Sequence, residues 1–155
     1  MTYLDENNER YIPYVVETSA GLTRNVLMAL SDAYEEQTLE DGDVRTVLHF
    51  HPEVATDMVA VLPLVKKDGI GEYSSKLEHE LREDFTTFYD QSGAIGRRYR
   101  RMDEIGTPYC VTVDYDTLAD NTVTLRFRDS MEQIRIPVSE IVSTIKKLNK
   151  EYKRV

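Results

Sequence analysis

The chain has 155 residues, with 28 acidic against 19 basic side chains and a net charge of −9. A hydrophobic share of 41% suffices for the core of one domain, or of one domain plus a piece of another. No apolar run nears the roughly 20 residues of a membrane-spanning helix, and the single Cys110, in the apolar run YCVTV, excludes a disulfide framework and points to a buried thiol in a reducing cytoplasm.

Net negative charge argues against a nucleic-acid partner, but the charge is unevenly placed. Residues 1–60 hold 12 acids and 3 bases, whereas residues 61–155 hold 16 of each. Met1–Arg10 is polar and reads as a turn or frayed end. Tyr11–Glu17, β-branched and aromatic, is predicted to be a strand, near an edge or bulge because of Pro13. Thr18 or Ser19 can cap a helix over Ala20–Tyr34, with Leu22, Val26 and Leu30 on its apolar face. Glu35–Asp43 holds five acids and little apolar content, and is read as a boundary between two domains or an exposed loop. Arg45–Phe50 is a short strand in this reading.

Met58–Val65 is a continuous apolar run, the pattern of a strand covered on both faces. Ile70, Tyr73, Leu77, Leu81 and Phe85 recur at helical spacing. A short strand, Thr87–Asp90, leads to Ser92–Pro108, in which Ile95, Tyr99, Met102 and Ile105 form one helical face and Arg97, Arg98, Arg100 and Arg101 load the rest. Arg97 and Arg100 point away from the apolar face, Arg101 sits at its shoulder and Arg98 at its edge. Gly106 stands where a left-handed cap belongs, and Pro108 forbids continuation. Tyr109–Tyr115 is a buried strand. Thr122–Arg128 alternates, with Val123, Leu125 and Phe127 inward and Thr124, Arg126 and Arg128 outward. Glu132–Ile136 pairs back on it, and a last helix runs from Val138 to Tyr152. From Asp57 onward the order β-α-β-α-β-β-β-α predicts an α/β fold: a mixed sheet of about five strands flanked by helices.

Several chemistries find no support. His49 and His51 form an H-x-H pair without a third ligand, so no metal is assigned. Lys66–Gly69 follows a strand and precedes a helix but lacks the spacing of a phosphate-binding loop. No Ser/His/Asp set stands out, and residues 57–155 read as a binding module. The arginine helix, the strand face with Arg126 and Arg128, and the turn with Asp114, Asp116 and Thr117 could converge on single-stranded RNA. Cytosine offers acceptors at O2 and N3 and a donor at its amino group, which arginines beside a carboxylate complement.

The runs YIPYVVETSAGLTR (from Tyr11), MVAVLPLVKKDG (from Met58), SGAIGRRYRRMDEIGTPYCVTVDYDTL (from Ser92) and DNTVTLRFRDSMEQIRIP (from Asp120) closely resemble the C-terminal part of glycyl-tRNA synthetases of the homodimeric class II type. The resemblance implies three parts. Residues 1–35 end the class II catalytic core with its motif 3, 36–56 are an acidic linker, and 57–155 are the anticodon-binding domain of class IIa enzymes. It implies that Glu17 and Ser19 hold the glycine ammonium group, and that Gly21 and Arg24 belong to the G-x-x-R element whose arginine contacts ATP and serves catalysis. The family commonly reads E-P-S-A-G-V-D-R here; Thr18 replaces the proline and Thr23 the aspartate. For the anticodon it points to Arg97, Arg100, Arg101, Asp116, Thr117, Arg126 and Arg128. The function so implied is ATP-dependent attachment of glycine to its tRNA, with ATP and Mg2+ in a cytoplasmic homodimer. Motifs 1 and 2 are missing from these residues, so this piece is expected to be inactive alone and to hold no cofactor. The alternative is a stand-alone nucleic-acid-binding module of the same fold, such as a polymerase accessory subunit.

Overall fold

The computed structural model describes residues 2–40 and 42–153. Met1, Arg154 and Val155, at the ends of the terminal segments read above, and Asp41, one of the five acids in 35–43, lie outside the described residues. Two short strands, β1 (Tyr3–Leu4) and β2 (Arg10–Tyr11), pair antiparallel. Helix α1 (Leu22–Ala33) runs without a loop into strand β3 (Tyr34–Thr38), which pairs antiparallel with β4 (Val44–Leu48). There follow β5 (Val59–Pro63), α2 (Ile70–Leu81), β6 (Thr87–Tyr89), α3 (Ile95–Ile105) and β7 (Tyr109–Val113). The chain closes with a short α4 (Tyr115–Asp120), β8 (Thr122–Phe127), β9 (Gln133–Pro137), a 3-10 turn over Val138–Glu140 and α5 (Ile141–Glu151).

The five strands β6-β5-β7-β8-β9 form one sheet, parallel across β6, β5 and β7 and antiparallel across β7, β8 and β9. This is the mixed sheet that the alternation predicts. Period-two alternation divides its side chains between two faces. Val59, Val61, Val111, Val113, Val123 and Leu125 pack one way, against Ile70, Leu77 and Leu81 of α2 and Ile141 and Ile145 of α5. Ala60, Leu62 and Cys110 pack the other way, against Met102, Ile95 and Tyr99 of α3. Burial pushes the Cys110 thiol up to about 12, which leaves it neutral and inert at ordinary pH.

Three expectations are corrected. Residues 12–17 form no strand among the described residues: Ile12, Tyr14, Val15 and Val16 are exposed and no neighbouring strand pairs with them. An extended segment without a partner has nowhere to place its backbone hydrogen bonds except water. Neither Thr18 nor Ser19 caps α1; its N-cap is Gly21, with no side-chain cap. The acidic stretch 35–43 is not merely a loop, because its first half is β3, which with β4 forms a hairpin packed on α3.

Candidate nucleic-acid interface

Helix α3 is built as its sequence pattern predicts. Its apolar side docks on the small side chains Ala60 and Cys110, which allow a close approach, and Gly106 caps it with a φ of 82°. The four arginines then divide by depth. Arg97 and Arg100 are exposed, Arg101 is half-buried, and Arg98 is buried at 2% exposure. The Arg97 guanidinium has no hydrogen-bond or ion-pair partner among the described residues. It also stands in the first turn of α3, where the helix dipole disfavours positive charge. Arg100 meets Asp43 at 2.8 Å, and Arg101 reaches Asp90 through Nε at 3.0 Å. Burial alone would raise the Asp90 carboxyl. The Ser92 N–H and the Arg101 and Arg98 charges outweigh it and hold the group below the usual range. Arg98 donates to the carbonyls of Pro63, Leu64 and Asp90. Its neighbours are thus main-chain oxygens, with the Asp90 carboxylate taken by Arg101, and burial lowers its pKa.

Arg126 and Arg128 are not on an outward face. They are 5% and 1% exposed, because α3 and the β3–β4 hairpin cover the side of the sheet to which they alternate. Arg126 donates to both oxygens of Asp103 at 2.8 and 3.0 Å, and its guanidinium carbon lies 4.8 Å from the Tyr99 ring centre. Burial works against the Arg126 charge, but the Asp103 pair outweighs it and raises the pKa. Asp103 also accepts from Arg45 Nε of β4 at 2.9 Å. Arg128 donates to Asp129 at 2.7 Å and to the Gly106 carbonyl at 2.8 Å. The His49 ring nitrogens lie 2.7 Å from Asp129 and 3.0 Å from Glu35. His49 therefore belongs to a polar clasp between hairpin and domain. Among the described residues no group of three or more His, Cys, Asp or Glu could hold a metal.

Where the sequence suggests a turn, Asp114 caps α4. Its carboxylate accepts from the Thr117 N–H at 3.0 Å, and the Thr117 hydroxyl accepts from the Asp114 N–H at 3.0 Å. Thr117 is buried and its hydroxyl is committed to this box; Asp116, beside it, is exposed.

The open part of this face holds a residue that the sequence reading does not single out. Thr112, Thr124 and Arg135 are register partners across β7, β8 and β9. The Tyr99 hydroxyl lies 2.6 Å from that of Thr112, so α3 closes one end of the row. At the other end Arg135 grips Asp114, with Nη2 2.9 Å from Oδ1. This grip, with the Thr117 N–H, holds the Asp114 carboxyl below its usual range despite partial burial. Arg135 also donates to the Thr122 hydroxyl at 2.6 Å. The signal was in the alternation of β9, which puts Ile134 and Ile136 on one face and Arg135 on the other.

Glu17, Ser19, Gly21 and Arg24 lie in or just after the exposed segment that leads into α1. Glu17, Ser19 and Arg24 have no side-chain partner among the described residues. Exposed as they are, these side chains do not enclose a nucleotide or an amino acid in this chain.

The mixed sheet thus carries a guanidinium-bearing helix beside a row that runs from the buried Thr112 through the half-buried Thr124 to the exposed Arg135. Residues 58–148 match the Anticodon binding domain family, and the chain belongs to that family. The glycine–tRNA ligase of Treponema denticola is 62% identical over 160 residues, covering 99% of this chain and 36% of that protein. That of Borrelia hermsii is 56% identical, covering 96% of this chain and 34% of its own length. The chain spans about a third of the length of these curated relatives. Among solved structures, prolyl-tRNA synthetase from Cryptosporidium parvum with L-proline and AMP superposes with a TM-score of 0.62 at 25% identity, over 68% of this chain and 23% of that one. The same enzyme with halofuginone and AMPPNP gives 0.62 at 22% identity, over 75% of this chain and 30% of that one, a likeness of fold. Among the described residues no helix is long and apolar enough to cross a membrane.

Proposed function

We propose that this chain is the tRNA-recognising part of a glycine–tRNA ligase and reads the anticodon loop with the outer face of α3 and the neighbouring sheet row. One observation carries the proposal. Arg97, Arg100 and Arg101 present three guanidiniums on one helix face, none of them buried, beside an Arg135–Asp114 pair that offers donors and an acceptor together. Cytosine asks for that combination, and the glycine anticodon ends in two cytosines. Arg97 lacks a partner among the described residues and opposes the helix dipole, which fits a group awaiting an anion. Asp116, exposed next to the pair, is a further acceptor. Arg126, Arg128 and Thr117 act as positioning residues: Arg126 backs Tyr99, Arg128 ties Gly106 to Asp129, and Thr117 fixes the loop that carries Asp114 and Asp116.

The longer protein would join glycine to its tRNA in two steps, activation by ATP with Mg2+ and transfer to the terminal adenosine, as a cytoplasmic homodimer. In this reading residues 1–35 end the catalytic core, residues 36–56 connect, and residues 57–155 bind the anticodon. The exposed apolar side chains Ile12, Val15, Val16 and Leu22 support a contact with the remainder of that protein. There Glu17 and Ser19 would face glycine, and Gly21 and Arg24 ATP. These 155 residues alone would not activate glycine, because Glu17, Ser19 and Arg24 stand open and unsupported.

The test is titration of the chain with an anticodon stem-loop, changing each cytosine in turn. Arg135→Ala should cost about 1–3 kcal/mol on the unchanged loop and relax preference at one position. Arg97→Ala should leave base preference intact and lower the salt slope by roughly 0.7. Equal affinity for every loop would remove the anticodon assignment.

A further inference from the structure

Within the acidic stretch 35–43, Asp43 lies against the arginine helix. The turn joining β3 to β4 is closed by the Leu39 N–H donating to the Asp43 carbonyl at 2.8 Å and the Gly42 N–H donating to Leu39 at 3.0 Å. That turn holds the Asp43 carboxylate 2.8 Å from Arg100 Nη2. The hairpin does not hang freely beside α3, because Arg45 of β4 is bound to Asp103 of α3 at the helix's buried edge. The hairpin thus delivers a carboxylate to an exposed guanidinium from a stretch with five acids in nine residues. Carboxylate and phosphate oxygens compete for the same forked donors.

We propose that the Asp43 side chain is an intramolecular gate, which occupies Arg100 in the place of an RNA phosphate and must swing away from it when RNA binds. The partner it opposes is the phosphate backbone of single-stranded RNA in general. The proposal rests on the reading of α3 as an RNA-binding face and adds its regulation. The side chains of Arg100 and Asp43 are 44% and 64% exposed, and a pair of that kind is worth at most about fivefold in affinity. The gate is therefore weak by construction. Contacts to phosphates alone would be discouraged by it, and a loop whose bases also bind would displace it.

The test compares the chain with Asp43→Asn by fluorescence anisotropy, using a glycine anticodon stem-loop and a uridine homopolymer as probes. Asp43→Asn should tighten binding of both probes about two- to fivefold at low salt. The gain should shrink near about 0.5 M salt and vanish in an Arg100→Ala background. Asp43→Ser serves as a second variant should Asn disturb the turn, with a melting curve for each protein. Unchanged affinity, weaker binding, a gain that survives Arg100→Ala, or no RNA binding by any of the proteins would overturn the gate. Tightening on both probes without any preference for the cytosine-bearing loop would support the gate and remove the anticodon assignment.

Discussion

At the end of α3, Gly106 meets two demands with one absent side chain. Its φ of 82° lies in the left-handed region, and a Cβ built there would stand 2.5 Å from Phe50 Cδ2 and 2.9 Å from the Leu48 carbonyl oxygen. The first demand is the ordinary one of a helix C-cap. The second arises because the end of β4 and the residues after it press on this turn. Gly106→Ala should therefore cost about 2 kcal/mol or more, the sum of left-handed strain and forced repacking. Gly93 is the control: its φ is 78°, yet nothing lies within 4 Å of its ideal Cβ, so Gly93→Ala should cost only about 1 kcal/mol. Urea denaturation of the two variants separates strain from contact. Equal losses would mean that Phe50 swings aside and that the hairpin does not depend on this seat.

Helix α3 joins hairpin and sheet through Asp103, which is 1% exposed and lies between Arg45 and Arg126. Two guanidiniums share one carboxylate in a buried site, so removing that carboxylate leaves two buried charges without their counterion. Asp103→Asn should cost about 3–5 kcal/mol, whereas Arg100→Ala, at an exposed pair, should stay within about 0.5 kcal/mol. Urea midpoints for both variants check this, and comparable losses would show that Asp103 is not the joint. The same residues show what the sequence could convey. The period of Ile95, Tyr99, Met102 and Ile105 marked the extent of α3, and the Gly106–Pro108 pair its end. Alternation in Thr122–Arg128 correctly divided the two faces of β8, but alternation does not say what covers a face. Arg126 and Arg128 pointed away from the apolar core into a second layer made by α3 and the hairpin. That layer was hidden because β3 is acidic, with Glu35 and Glu36 in place of the β-branched residues that announce strands. Alternation in β9 sets Arg135 apart from Ile134 and Ile136, but its role comes from Thr124, its cross-strand partner, and Asp114, the N-cap of α4, which sequence order does not bring together.

Over the whole molecule, the buried and half-buried carboxylates set the acid side of stability. Asp129 accepts from Arg128 and Tyr152 and lies beside His49, so it joins the turn after β8, the segment after α5 and the hairpin. Burial would raise its pKa, but Arg128 and His49 outweigh that and hold it below the usual range. Asp90, Asp114 and Glu78 are lowered in the same sense, while Asp57 is raised by burial and opposes them. A carboxyl whose folded pKa lies below its unfolded value contributes stability above the unfolded value, and loses it as pH falls through the folded one. The net expectation is a plateau near neutrality and a decline beginning below about pH 4. On the alkaline side, Tyr109 and Cys110 are each pushed up to about 12. Their contribution is complete below their unfolded values and disappears as pH rises toward 12. Urea midpoints between about pH 7 and pH 2.5, for the chain and for Asp129→Asn, test the acid limb. Each proton taken up on unfolding is worth about 1.4 kcal/mol per pH unit, so the variant should be less stable at pH 7 and show a shallower acid decline. Parallel decline in the two proteins would mean that Asp129 keeps its proton balance on unfolding, and that the clasp on His49 and Arg128 holds by shape rather than by charge.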